Sequence, residues 1–165
     1  MSADTVDAIL EQWRRERPDL DPTPMSVFGR ISRIAALAEP ELERVFRPHG
    51  LTGGEFDVLA TLRRSGRPYR LTPTALSRSM MVSSGGTTKR LDRLEARGLV
   101  RRDHDPSDRR STLVSLTDAG RTIVDAVVVE HVRNEERLLA TLTPNERGKL
   151  AGLLRKLLLA IERDY

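Results

Sequence analysis

The 165-residue sequence contains no cysteine, which removes disulfide bonds, thiolate nucleophiles and thiol-based sensing. Its three histidines, His49, His104 and His131, stand far apart without the spacing a metal site needs. Neither a nucleophile with its base, nor a phosphate loop, nor a metal cluster can be assembled from these residues, so neither an enzyme nor a cofactor is expected. Long apolar runs are also missing: no stretch of about 18 apolar residues exists to span a membrane. The opening Met1-Ser2-Ala3-Asp4 lacks the positive charge and apolar stretch of a secretion signal. The cytoplasm is the expected compartment. Aromatic residues make up only 4% against 38% apolar and 32% charged residues, so the core should consist of Leu, Val and Ala under a well-solvated helical surface. The length allows about one domain with a sizeable core.

Charge is present but unevenly placed. The formal net charge is +4, yet between Arg63 and Arg110 there are 13 Lys and Arg against 5 Asp and Glu, a local excess of +8 that leaves −4 for the rest. A run of this kind is often no more than a solvated face. Here it coincides with a fold motif.

Val6, Ile9, Leu10 and Trp13 repeat at helical spacing, which predicts an amphipathic helix over residues 4–16. The stretch from Pro18 to Pro24 should be a loop, because each proline turns the preceding residue away from the α region. A second helix is expected over 25–47, with Pro40 kinking or interrupting it. Thr52 and Glu55 form a capping-box signature ahead of Phe56, Leu59 and Leu62. Thr72 and Pro73 repeat the start signal for a short helix ending near Ser79. Ser83 or Ser84 should cap a third helix that runs to Gly98. Three helices joined by tight turns within about 47 residues predict a helix-turn-helix.

Residues 99–104 and 111–116 read as two strands, with Asp105-Pro106-Ser107-Asp108-Arg109-Arg110 as their turn: a wing. Thr117-Asp118 opens a long helix carrying Val124, Val127, Val128, Leu138, Leu139 and Leu142, and Thr143-Pro144 opens a last one with Leu150, Leu153, Leu154, Leu157, Leu158 and Ile161. These helices hold more apolar surface than a winged helix can cover, which predicts pairing with a second copy. The expected fold class is mainly α with a small β wing, a winged helix-turn-helix flanked by dimerisation helices. Its parts are 1–48 (dimerisation), 49–118 (winged helix-turn-helix, DNA binding) and 119–165 (dimerisation), integrated as one domain per subunit.

In this order, Gly50-Leu51-Thr52, Glu55-Phe56-Asp57-Val58-Leu59, Leu71-Thr72-Pro73, the run from Ser83 to Glu95, Gly98-Leu99-Val100, Asp105 to Arg110 and Leu116-Thr117-Asp118-Ala119-Gly120 resemble the MarR family of bacterial transcription regulators over nearly the whole chain. The resemblance implies a homodimer that binds double-stranded operator DNA at a near-palindromic site, acting as a repressor. Trp13-Arg14-Arg15-Glu16-Arg17-Pro18-Asp19-Leu20-Asp21, then Pro24-Met25 and Gly29-Arg30, resemble the PecS and urate-responsive branch of that family. That finer resemblance implies a small anionic ligand, urate or a relative, held by Trp13, Asp57 and Arg90, with Arg102 as a helper.

On a helical wheel of residues 84–98, Thr87, Leu91 and Leu94 share one face, and Gly86, Lys89 and Arg93 lie opposite or beside it. Ser84, Gly86, Thr87, Lys89 and Arg93 are therefore the candidates for reading a major groove. Arg109, steadied by Asp108, is the candidate for a minor groove. The alternatives are plain: Lys89 and Arg93 merely solvated, the wing residues merely a good turn, and Arg90 with Asp57 a structural ion pair beside a core Trp13. A different ligand (a carboxylate or phenolic metabolite), no ligand, or a protein partner in place of DNA also remain open.

Overall fold

Five helices begin where a side chain takes up amides that a first helical turn leaves free. In the computed structural model, which describes residues 3–81, 86–105 and 108–163 without the side chains of 105 and 108–110, Asp4 and Asp7 form a capping box for α1 (Thr5–Glu16). Thr52 and Glu55 do the same for α3 (Gly53–Arg64), and Thr143 with Glu146 for α7 (Pro144–Glu162). Thr72 caps α4 (Pro73–Ser79) and Thr117 caps α6 (Asp118–Leu138). Between α1 and α3 lies α2 (Met25–Phe46), followed by a 3₁₀ turn (Arg47–His49). Pro40 was expected to kink or interrupt α2, yet the helix passes through it without interruption. Proline removes a single amide donor, and the turns on either side carry the helix across.

The chain divides into two compact units, Met1–Glu43 and Arg44–Tyr165. In the first, Val6 and Leu10 are buried, and a Cβ added to Gly29 would stand 3.1 Å from Val6 Cγ1, so α1 lies close upon α2 there. Arg30 reinforces this packing. Its Nε donates to Asp4 Oδ2 at 2.8 Å and its Nη2 to Asp7 Oδ1 at 2.6 Å, so the two acids that cap α1 also tie it to α2.

In the second unit, β1 (Arg70–Leu71), β2 (Val100–Asp105) and β3 (Asp108–Leu116) form an antiparallel sheet in the order β1-β3-β2. With α5 (Thr87–Ala96) they surround a core that includes Val58, Leu59, Leu62, Leu76, Leu94, Val100, Val114, Val124 and Val127, each almost wholly buried. Phe46 stacks on Phe56 at 4.6 Å, and His131 leans on both. The molecule is thus mainly helical with a small wing sheet. By contrast, α7 contains no buried residue; Leu150, Leu153, Leu154, Leu158 and Ile161 are exposed along it. Among the described residues no helix is long and apolar enough to cross a membrane.

Three local features differ from expectation. The strand β1 was not foreseen; it pairs Arg70 with Ser115 and Leu71 with Val114. The hairpin is tighter than a six-residue turn: Asp105 pairs with Asp108, while the next pair is His104 with Thr112. Residues 109–111 therefore have no counterpart on β2 and form a bulge. Finally, α5 is capped by Gly86 and not by a serine. Gly86 holds φ at +83°, a left-handed conformation that costs most side chains about 1–2 kcal/mol.

Candidate nucleic-acid interface

The two faces of α5 separate as its periodicity requires. Thr87, Leu91 and Leu94 are buried at 7%, 4% and 0% exposure, while Lys89 and Arg93 are exposed. Thr87, a candidate for reading DNA, thus lies on the packing face with little surface to offer. Gly86 stands at the helix start with open space where a Cβ would go. Its glycine answers first to its backbone conformation, a reason that helical-wheel placement hid. Arg93 reaches toward Glu55, Nη1 to Oε1 3.9 Å, with two-thirds of its side chain in solvent. Ser84 and its neighbour Gly85 lie outside the described residues. The backbones of Asp108 and Arg109 belong to the strand β3 and not to a turn, and their side chains lie outside what is described.

The C-terminal half of α5 is tied to neighbouring elements by Arg97, which sequence patterning did not single out, and by Arg102. Arg97, at its C-terminal end, donates from Nη1 to Gly50 O at 2.6 Å and from Nη2 to His49 O at 3.1 Å. Arg102 on β2 bonds Asp92 and lies 3.6 Å from Glu95. Arg102 was a candidate ligand helper; it is instead occupied by two carboxylates of α5. The 13-to-5 charge excess conceals such pairs, because it counts every arginine as available.

Asp57 is 7% exposed and densely engaged. Its Oδ2 accepts the Met81 amide at 2.9 Å, Thr61 Oγ1 lies 3.4 Å from Oδ1, and Arg64 Nη1 lies 3.6 Å away. Arg64 also donates to Ser79 O, the last carbonyl of α4, at 2.5 Å. Asp57 therefore anchors the chain between α4 and α5. Arg90 is half-buried and rests on α3: a Cβ at Gly54 would stand 2.5 Å from its Nε. Gly54 and Asp57 are three residues apart on α3, hence neighbours on one face. The remaining candidate, Trp13, sits on α1 in the first unit, 41% exposed.

Residues 49–111 match the model of the MarR family. The chain is 44% identical to the HTH-type transcriptional regulator PecS of Dickeya dadantii over 149 residues, covering 90% of each protein. Among solved structures, it is similar to Sco3205, a MarR family transcriptional regulator from Streptomyces coelicolor in complex with DNA, with TM-score 0.74 and 28% identity over 84% of this chain and 87% of that one. It is also similar to BpsR of Bordetella bronchiseptica, whose DNA binding is regulated by 6-hydroxynicotinic acid, with TM-score 0.69 and 29% identity over 78% and 91% of the two chains.

Proposed function

The chain belongs to the MarR family of DNA-binding transcriptional regulators, and from that premise we propose that it acts as a cytoplasmic homodimeric repressor, bound to a near-palindromic operator and released by a small anionic ligand such as urate. The division of α5 carries this reading. Its buried face fixes the helix to the core, and its outer face presents Lys89 and Arg93, long donors suited to guanine edges and phosphates. Gly86 and Ser84, as small residues, are assigned to close approach of the backbone to DNA, and Arg109 with Asp108 to a minor groove. Residues 49–118 form the DNA-binding region in this reading, with 1–48 and 119–165 joining the two copies. The exposed leucines of α7 and the exposed Phe28, Ile34 and Leu37 of α2 support that pairing.

The ligand's proposed holders are Arg90 and Asp57. An anion drawn to Arg90 acts on the reading helix itself, because Arg90 belongs to α5. Likeness to BpsR, whose DNA binding is regulated by 6-hydroxynicotinic acid, supports a ligand of this class. Trp13, on α1 in the first unit, is a further candidate by family resemblance. A ligand that lowers operator affinity 100-fold must favour the released form by about 2.7 kcal/mol.

The test is a mobility shift with the DNA upstream of the protein's own gene, titrated with urate at fixed salt. A complex that urate dissolves is expected, with Arg90→Ala and Trp13→Ala still binding DNA but no longer responding. A complex untouched by urate refutes that ligand. A second reading, release by a carboxylate or phenolic metabolite, draws on the engagement of Asp57 by Met81 and Arg64. A carboxylate committed to the protein has less capacity to accept from a ligand's N–H groups, and Asp57→Asn would then leave the response intact.

A further inference from the structure

We propose that Arg102 is a positioning residue that locks the wing to the reading helix, so that β2, β3 and α5 meet DNA as one rigid reader. The proposal rests on DNA reading by helix and wing together. It begins with an unused edge. In the order β1-β3-β2 the strand β2 is outermost, so amides on its far side lack a strand partner. The amide of Arg102 finds one across the gap: it donates to Glu95 Oε1 at 2.9 Å.

The side chain adds two further points. Nη2 donates to Asp92 Oδ1 at 2.5 Å, and Nη1 lies 3.6 Å from Glu95 Oε2. Asp92 and Glu95 are three residues apart and share a face of α5. A planar guanidinium can span two carboxylates in this way, whereas an ammonium acts as a point charge and cannot. The contrast with the adjacent arginine is informative. Arg101 is 70% exposed and pairs with Asp103 of its own strand, while the Arg102 side chain is 29% exposed.

Charge supports the same assignment. Asp92 and Glu95 are two of only five acids between Arg63 and Arg110, and they sit on the helix that approaches phosphate. Left bare, they would repel DNA. Arg102 offsets one of their two charges and converts both into anchors for the wing. The covalent link between α5 and β2 is short, residues 97–99, but it fixes only one end of the strand; the latch acts further along, toward the tip.

The experiment uses the full-length protein and the duplex it enriches most strongly from a random pool, with a scrambled duplex of equal length as reference. Two variants approach the latch from opposite sides: Arg102→Lys keeps the charge and loses the fork, and Asp92→Ala with Glu95→Ala keeps Arg102 and loses its acceptors. Both are expected to weaken binding of the selected duplex about tenfold, to change binding of the scrambled one less than about twofold, and to lose hydroxyl-radical protection where the wing lies. If Arg102→Lys binds like wild type and the Asp92, Glu95 variant binds more tightly, Arg102 is only a charge and the proposal fails. It fails equally if both variants match wild type, or if both lose the two duplexes alike together with thermal stability.

Discussion

The backbone amide of Met81 donates to Oδ2 of Asp57 at 2.9 Å, so a carboxylate buried in α3 holds the chain as it leaves α4 for the reading helix. Arg64 completes the clasp from Ser79 O to the same carboxylate. A ligand that competes for Asp57 therefore competes with the turn of the helix-turn-helix, and binding of one loosens the other.

Removing the carboxylate should be costly. Asp57→Ala strands the Met81 amide, and leaving a part-buried donor unmet costs about 1–3 kcal/mol. Asp57→Asn keeps an accepting oxygen and should lose less. Urea unfolding measures both, and an alanine variant as stable as wild type would remove Asp57 from this role.

Gly54→Ala tests the seat of Arg90. A new Cβ would stand 2.5 Å from Arg90 Nε and 2.8 Å from its Cζ, so the arginine must swing aside, which a flexible side chain does at little cost. Replacing a helical glycine by alanine is itself worth about 0.5–1 kcal/mol. The variant should thus unfold no earlier than wild type and bind DNA comparably, while responding less to urate in the mobility shift. An unchanged response would show that the position of Arg90 is irrelevant to release.

The cap of α1 should depend on pH. The Asp7 amide and then Arg30 hold the Asp4 carboxyl below its ordinary pKa, and the Asp4 amide and then Arg30 do the same for Asp7. A lowered folded-state pKa means that the stabilisation is complete above the ordinary aspartate range and disappears as the pH falls through the lowered values. Asp4→Ala should therefore melt earlier than wild type at neutral pH, with the gap closing in strong acid. A gap constant from pH 7 down to pH 2 would contradict it.

The apolar stripe of α7 offers a test of self-association. Leu153 is 68% exposed, and glutamate keeps nearly the same helix propensity, so Leu153→Glu should spare the fold of a single chain. Sedimentation should show monomers where wild type sediments as a dimer, and operator affinity should fall with it. A dimeric variant would place the interface elsewhere.

Where the chain chooses its own backbone, the sequence was readable. Threonines and prolines at helix starts announced α3, α4, α6 and α7 because a cap is a local transaction among four residues. The face of α5 followed from period alone. What escaped depends on distant partners. Two residues of β1 carry no pattern and exist because β3 pairs with them. The true length of β3 was hidden by turn-forming residues, of which Asp108 pairs with Asp105 across the hairpin. The work of Arg102 and Arg97 lay in contacts across elements, and no spacing rule separates an arginine that faces phosphate from one that faces a carboxylate.

The three residues by which β3 outruns β2 near the hairpin leave the wing with slack. Below them, the pairs from Val100 with Leu116 to His104 with Thr112 keep a constant register. Substitutions or small changes of length at the tip are therefore absorbed locally and do not reach the core. On the proposed reading of the wing, such changes alter its contacts with DNA while the scaffold stays intact, so the preference for one duplex over another is separable from folding.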